Sequence, residues 1–286
     1  MQAIYEPKGP ALEYSELACN LYGNAEGKKS GCSHGCTYCF CPQYSHQKKE
    51  DFHCSPVPRI GILGKLEHDA DLMARAGDDR RVLFSFFGDV YCPEEMKFEV
   101  TRQALDIMVQ HGLRFTVLTK GGTRACRDFD LLTEGRGLLG VSMVWAGEFH
   151  REAQEPGAAP LADRIESLRL AHEAGIYTWM SVEPVFWTNE ALACIKETLP
   201  YVDEYRIGTE KNAPYYYDEY WPDFIARAQD WIVAAGKKVM FKEGLHKYLN
   251  GRPAKVGYEI VAGKNLKVGQ LVSVDEDGMA WAIGEK

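Results

Sequence analysis

Residues 161–182 read LADRIESLRLAHEAGIYTWMSV: an amphipathic stretch as far as Ala174, a glycine at 175, then an apolar run with β-branched and aromatic residues. That order predicts a helix closed by a glycine C-cap and fed directly into a strand. The same punctuation recurs at His111-Gly112 and Ala235-Gly236. Amphipathic stretches at 94–111, 161–174, 189–199 and 220–235 alternate with strand-like runs at Val82–Phe87, Arg114–Thr119, Leu138–Val144, Ile176–Val182 and Glu204–Gly208. The runs lack strict alternation, as strands covered on both faces do, and so indicate a parallel sheet. An earlier strand is expected within Leu12–Leu21 and another near Lys238–Phe241. Repeated βα units build an α/β barrel, open or closed, or a doubly wound sheet. From about residue 251 the pattern changes to short β-type runs near 258–261, 270–274 and 279–283, the last two joined by a turn at 275–278. A main domain over 1–250 with a small β appendage over 251–286 is therefore expected.

The chain has 286 residues, 45% hydrophobic and 26% charged, as ordinary soluble enzymes do, and can bury a sizeable core. No apolar run approaches the length of a membrane span, and Met1-Gln-Ala-Ile-Tyr-Glu-Pro7 lacks the layout of a signal peptide. A cytoplasmic protein without membrane association is expected. Nine cysteines, an odd number with no export signal, read as reduced thiols and metal ligands, not as a disulfide framework. The net charge of −8 argues against coating duplex DNA through a broad basic face, but leaves a local basic groove open. Short basic clusters such as Lys28-Lys29 and Lys48-Lys49 read first as solvated surface.

Three of the cysteines fall within Gly31-Cys-Ser-His-Gly-Cys-Thr-Tyr-Cys-Phe40, spaced C-x3-C-x2-C by Cys32, Cys36 and Cys39. A closed structural metal site uses four protein ligands, and a site that does chemistry leaves one position open. Three thiolates on a cubane of four irons leave one iron for a small molecule. A zinc knuckle completed by His34, Cys41, His53 or Cys54 is the alternative, but such sites usually pair two C-x2-C knuckles and only one is present.

With Tyr38 directly before the third cysteine, the motif resembles the C-x3-C-x-φ-C signature of radical S-adenosylmethionine (SAM) enzymes. The resemblance implies a partial (βα)6 TIM-type barrel and a [4Fe–4S] cluster whose open iron binds SAM. It also implies an external one-electron donor of flavodoxin or ferredoxin type, and a 5′-deoxyadenosyl radical that abstracts a substrate hydrogen. Residues 9–22, the run Ser85-Phe-Phe-Gly-Asp-Val-Tyr-Cys-Pro93, Thr119-Lys120, Ser142 and Glu155 through Arg164 to Gly175 resemble the spore photoproduct lyase-like branch. The similarity spans about residues 5–210. It implies that the Tyr38-Cys39-Phe40 backbone contacts adenine, that Gly88 and Asp89 line the methionine amino group, and that Lys120, Ser142 and Arg164 hold the carboxylate and ribose. For Lys120 and Arg164 the simpler reading is a surface charge or an internal ion pair.

The chain departs from the repair enzyme of that branch, because Phe86 stands where that enzyme carries a hydrogen-donor cysteine. Repair of thymine photodimers is not expected; Cys41 and Cys92 are the candidate donors here. Tyr91, Glu183, Trp187, Arg206 and Lys242 are candidate substrate contacts, with Glu210 and Glu243 also at strand ends, although Glu183-Pro184 reads equally well as a turn. The run Pro214-Tyr-Tyr-Tyr217 with Tyr220 and Trp221 offers stacking surfaces or simply loop packing. The leading expectation is a radical SAM enzyme that repairs, rearranges or modifies a nucleic-acid base or nucleotide. The alternatives are radical chemistry on a protein or small metabolite, which the acidic charge favours, and a zinc-stabilised nucleic-acid-binding module without catalysis.

Overall fold

Helix-closing glycines set the rhythm of the chain. In the computed structural model, Gly112, Gly175 and Gly236 have φ of 65°, 73° and 73°. After each, the next amide returns to a carbonyl five residues back: Leu113 to Met108, Ile176 to Ala171 and Lys237 to Ile232, at 2.9–3.0 Å. That return bond ends the helix and aims the chain into a strand. The structure describes residues 2–209 and 221–257, with three short strands at 261–262, 272–274 and 279–282.

Nine strands form one sheet in chain order: β1 (Ile4–Tyr5), β2 (Leu17–Cys19), β3 (Val82–Phe84), β4 (Phe115–Thr119), β5 (Leu138–Ser142), β6 (Tyr177–Val182), β7 (Glu204–Ile207), β8 (Lys238–Phe241) and β9 (Lys255–Val256). From β2 to β8 all pairings are parallel. β1 and β9 pair antiparallel at the two edges. Between successive parallel strands run α1 (Ile62–Ala76), α2 (Val100–Gln110), α3 (Phe129–Glu134), α4 (Leu161–Glu173), α5 (Thr188–Thr198) and α6 (Trp221–Ala234). This is the partial (βα)6 TIM-type barrel expected, followed by a seventh parallel strand. Val141, Met180, Val182 and Ile207 face outward and pack with Leu168, Ile195, Phe224 and Ile232 in one continuous core.

The interior is filled by Trp179 of β6, which is fully buried. Its indole N–H donates to Thr116 Oγ1 of β4, over the intervening β5, at 2.9 Å. Gly140, its register partner on β5, makes room for the ring: a Cβ there would lie 2.2 Å from it. Residues two and four further along β6, Ser181 and Glu183, then fall on the same inward face toward the strand's C-terminal end.

Three sequence expectations are corrected. Leu12–Leu21 is not one strand: Gly9–Glu13 forms a 3-10 turn with Pro10 in its first positions, and only Leu17–Cys19 is extended. Residues 94–111 break at Glu99 (φ 51°) into Glu95–Phe98 and α2. The cause is Glu95, fully buried, whose carboxylate caps α2 by accepting from the Thr101 amide at 3.0 Å. α1 and α3 were not anticipated, although Ile62, Leu66, Ala70 and Met73 give α1 a buried face at helical spacing. β9 also carries the barrel sheet past residue 250. Beyond it, β10 (Val261–Ala262), β11 (Val272–Val274) and β12 (Met279–Ala282) form a separate three-stranded sheet, with β12 parallel to β10 and antiparallel to β11. The expected turn at 275–278, Glu210 and the 214–217 aromatic run with Tyr220 lie outside the described residues. Among the described residues no helix is long and apolar enough to cross a membrane.

Candidate active site at the mouth of the barrel

The loop after β2 carries the cysteines and is clamped from three sides at the C-terminal end of the barrel. Cys32 N–H donates to Phe52 O at 2.9 Å, Thr37 N–H to Gln154 O at 2.9 Å, and Gly157 N–H to His34 O at 2.8 Å. Two glycines allow this approach. A Cβ on Gly88 (φ 103°) would sit 2.8 Å from Gly31 O, and one on Gly157 would sit 2.3 Å from Ser33 O. Asn20, directly after β2, fixes the loop beyond β3. Its Oδ1 accepts from the Phe86 and Phe87 amides at 2.9 and 2.8 Å, and its Nδ2 donates to the Tyr5 hydroxyl at 2.8 Å.

Cys32 and Cys36 are buried and Cys39 is partly so. Cys36 lies within electrostatic reach of both Cys32 and Cys39. Burial raises the Cys32 thiol well above its usual pKa and takes Cys36 to about 12, whereas the neighbouring Cys41 thiol and His53 bring Cys39 down to about 5. Three soft thiolates at one barrel mouth suit an iron–sulfur cluster. Among the described residues, no three His, Cys, Asp or Glu side chains are grouped as a single ion requires. His34 is buried, which lowers its pKa to about 4; its Nδ1 lies 3.4 Å from Asp89 Oδ2, and its buried Nε2 has no partner.

Asp89 is consumed by the protein. Its Oδ1 accepts from Tyr91 N–H (2.8 Å) and Thr119 Oγ1 (2.6 Å), and its Oδ2 from Lys120 N–H (2.7 Å). Burial works against its charge, but His34 and these donors outweigh it and depress the pKa. Asp89 therefore splices the β3 and β4 loops together, while Gly88 is the part of the pair that borders the cysteine loop. Arg164 is likewise held by protein partners. It is fully buried and donates to Glu155 Oε2 (2.5 Å), Ser142 O (3.0 Å) and Ala159 O (2.9 Å), which is the internal ion pair. Ser142 ends β5 with its carbonyl so held. Glu155 also accepts from the Tyr38 hydroxyl and lies 3.9 Å from Lys120 Nζ. Burial would raise the Glu155 pKa; Lys120 and Arg164 overcome it and bring it down. Lys120 is raised, its burial outweighed by Glu155 and Cys36, and its ammonium stands 5.6 Å from the Tyr38 ring centre.

The other candidates divide. Tyr91 and Cys92 are fully buried in the main core, Tyr91 beside Asp128 and Glu95, so neither lines the mouth as expected. Cys41 stays at the mouth, packed with Cys32 and Phe52, its Sγ 3.9 Å from Phe86 O. Aromatic rings flank the opening. Phe40 (45% exposed) meets Tyr44, Phe86 and Phe87 at 5.7–6.1 Å between centres. On the other rim Trp187 (49% exposed) meets His150 at 4.6 Å and Trp145 at 5.7 Å, and Trp145 stacks on Phe186.

Glu183, Lys242 and Arg206 come together through a residue the sequence did not suggest, Tyr14. Lys242 Nζ donates to Glu183 Oε1 and Oε2 at 3.0 and 2.8 Å and sits 4.2 Å from the Tyr14 ring centre. The Tyr14 hydroxyl reaches Glu183 Oε2 and Ser181 Oγ. Arg206 donates to Tyr14 O at 2.6 Å and covers Trp179 at 4.4 Å. Tyr14 reaches the mouth because the 3-10 turn folds it inward, which no periodicity announces. Glu155 stood in the motif without a role, and Asn20 had no signal beyond following β2.

The Radical SAM superfamily profile matches residues 29–201 of this chain. The uncharacterized protein ORF301 of Acidianus two-tailed virus is 30% identical over 178 residues, 59% of this chain and 58% of that protein. The chain thus spans little more than half the length of this relative. Among solved structures, a spore photoproduct lyase mutant aligns with TM-score 0.60 at 14% identity, covering 80% of this chain and 76% of that one. Spore photoproduct lyase complexed with dinucleoside spore photoproduct aligns with TM-score 0.56 at 14% identity, over 71% and 58%. Streptococcus suis SuiB bound to S-adenosylmethionine gives TM-score 0.55 at 14% identity, over 77% and 50%. At these identities the solved structures share the fold.

Proposed function

Because the chain belongs to the radical SAM superfamily, we propose that it is an enzyme acting on a C–H bond of a nucleic-acid base or nucleotide, in the manner of the spore photoproduct lyase-like branch but with a different outcome. The superfamily's cofactors, a [4Fe–4S] cluster and SAM, supply one-electron cleavage of the sulfonium and a 5′-deoxyadenosyl radical that takes a substrate hydrogen. In this chain Cys32, Cys36 and Cys39 hold the cluster. Gly88 lets the backbone approach the methionine end, the Tyr38-Cys39-Phe40 backbone takes the adenine, and Lys120 is the cation left to meet a carboxylate once Arg164 is committed to Glu155. Cys41 is the thiol placed to return a hydrogen. A flavodoxin- or ferredoxin-type protein delivers the electron.

The observation that carries the substrate class is the aromatic cluster beside the cysteine loop, exposed Phe40 with half-buried Phe86 and Phe87, because flat rings stack on bases of any sequence. The dinucleoside of one structural neighbour supports the same class. A peptide substrate is the second reading, favoured by the apolar opposite rim at Trp187 and Phe149 (79% exposed). Anaerobic reconstitution with SAM and deuterated substrates decides: label is expected in 5′-deoxyadenosine from oligonucleotides or nucleosides. Label arriving only from a peptide or metabolite fraction of cell extract would overturn the nucleic-acid reading.

A further inference from the structure

Opposite the cysteine loop, two carboxylates share one ammonium. Lys242 Nζ lies 2.8 Å from Glu183 Oε2 and 3.6 Å from Glu13 Oε2. Lys242 is nearly fully buried, with only 5% of its side chain exposed, while Glu183 and Glu13 keep 21% and 27% open. The surface offered to a ligand is therefore rich in acceptors and carries surplus negative charge. It repels phosphate and carboxylate, and it suits a group with adjacent N–H donors.

Tyr14 makes the acceptor pair adjustable. Its hydroxyl has one proton and two oxygens within reach, Glu183 Oε2 and Ser181 Oγ, the latter at 2.7 Å. When the proton turns to Ser181, Glu183 Oε1 and Oε2 are each left with Lys242 as their one hydrogen-bond partner, and each keeps a second acceptor position for a ligand. The space is kept by Gly208 at the end of β7, where a Cβ would lie 2.7 Å from Glu183 Oε1 and 3.0 Å from Lys242 Cδ. The Tyr14 ring is 6.2 Å from Phe86, which is 5.8 Å from Phe40. The carboxylate pair is thus linked to the aromatic cluster through the Tyr14 ring.

We propose that Glu183, with Lys242 and Tyr14, is the base-recognition element of this enzyme and takes a guanine. The two Glu183 oxygens accept guanine N1–H and N2–H, Lys242 donates to O6, and the ring stacks toward Phe86 and Phe40. A flipped or single-stranded base is read in this way along its Watson–Crick edge. Adenine, cytosine and thymine do not present two adjacent N–H donors beside a carbonyl. The inference rests on the nucleic-acid reading above and narrows it.

Hypoxanthine, which keeps N1–H and O6 but lacks the 2-amino group, isolates the claim. Short fluorescein-labelled single-stranded oligodeoxynucleotides with one central guanine, hypoxanthine or adenine among thymines are titrated against the reconstituted full chain with SAM, read by anisotropy. Guanine is expected to bind about tenfold or more tighter than hypoxanthine, the loss of one hydrogen bond to a charged acceptor. Glu183→Gln should erase that difference, while Tyr14→Phe, which leaves the carboxylate uncontested, should keep it. Equal wild-type binding of guanine and hypoxanthine overturns the proposal without the need of any variant. So does a preference that survives in Glu183→Gln, or displacement of the guanine strand by an arginine peptide at equal concentration. If the preference is absent while a base still transfers deuterium to 5′-deoxyadenosine, this inference alone fails. If no nucleic-acid fraction transfers label, the reading beneath it fails.

Discussion

Glu155 serves Tyr38, Lys120 and Arg164 with one buried carboxylate, and through them it ties the cysteine loop to the ends of β4 and β5. Removing its charge leaves Arg164 buried and unpaired. Glu155→Gln is therefore expected to lower stability by about 3 kcal/mol, measured by denaturant unfolding. Because the folded pKa of Glu155 is depressed, its contribution is complete above the ordinary carboxylate pKa of about 4.3 and is lost as pH falls through the folded value. Between about pH 5 and pH 3 the wild type should lose stability more steeply than Glu155→Gln; parallel slopes would contradict the assignment. The sequence showed these residues clearly as types but poorly as roles. Asp89 and Arg164 stood at the expected motif positions, yet burial turned both toward protein partners. Tyr91 lay in the same motif and points into the core. A carboxylate or guanidinium at a strand end reads alike in sequence whether it meets a ligand or a neighbour, because the difference is a rotamer and a depth.

At the level of elements, the parallel strands and most helices were legible because each announces itself locally, by an apolar run or a capping glycine. What was not legible depended on distant partners. Glu95 splits the 94–111 helix by turning inward to cap α2, and its Tyr22 and Arg127 partners come from other parts of the chain. The 3-10 turn that delivers Tyr14 is likewise defined by where its ring lands. Two substitutions test the local rules. Gly175→Ala places a Cβ at φ 73° in a helix cap and should cost about 1 kcal/mol, seen as a lower unfolding midpoint. Gly140→Ala drives a methyl into the Trp179 ring and should cost about 1–3 kcal/mol, with altered tryptophan fluorescence as the signature. An unshifted spectrum would mean that Trp179 does not rest on Gly140.

For the whole molecule, the cysteine loop is a graft on a scaffold that does not depend on it. The main core excludes Cys32, Cys36 and Cys39: Cys32 and Cys39 belong to a small separate cluster, and Cys36 is buried within the loop outside both. Replacing all three by alanine should abolish iron incorporation and the brown colour while far-ultraviolet circular dichroism stays near that of wild type. Loss of the circular dichroism signal would show that the loop supports the barrel. The sheet itself poses a different problem, since a barrel that does not close has two raw edges. Here each is blunted by a two-residue antiparallel strand, and Phe241 at the β8 edge donates its amide to Ala254 O at 2.8 Å. Short covering strands of this kind discourage sheet-to-sheet association. A chain cut after residue 250 would expose the β8 edge, whereas one cut after Val256 would keep it covered. The first should self-associate in light scattering at concentrations where the second stays monodisperse, so the end of the barrel, as a unit to be produced and handled, is set by solubility at Val256.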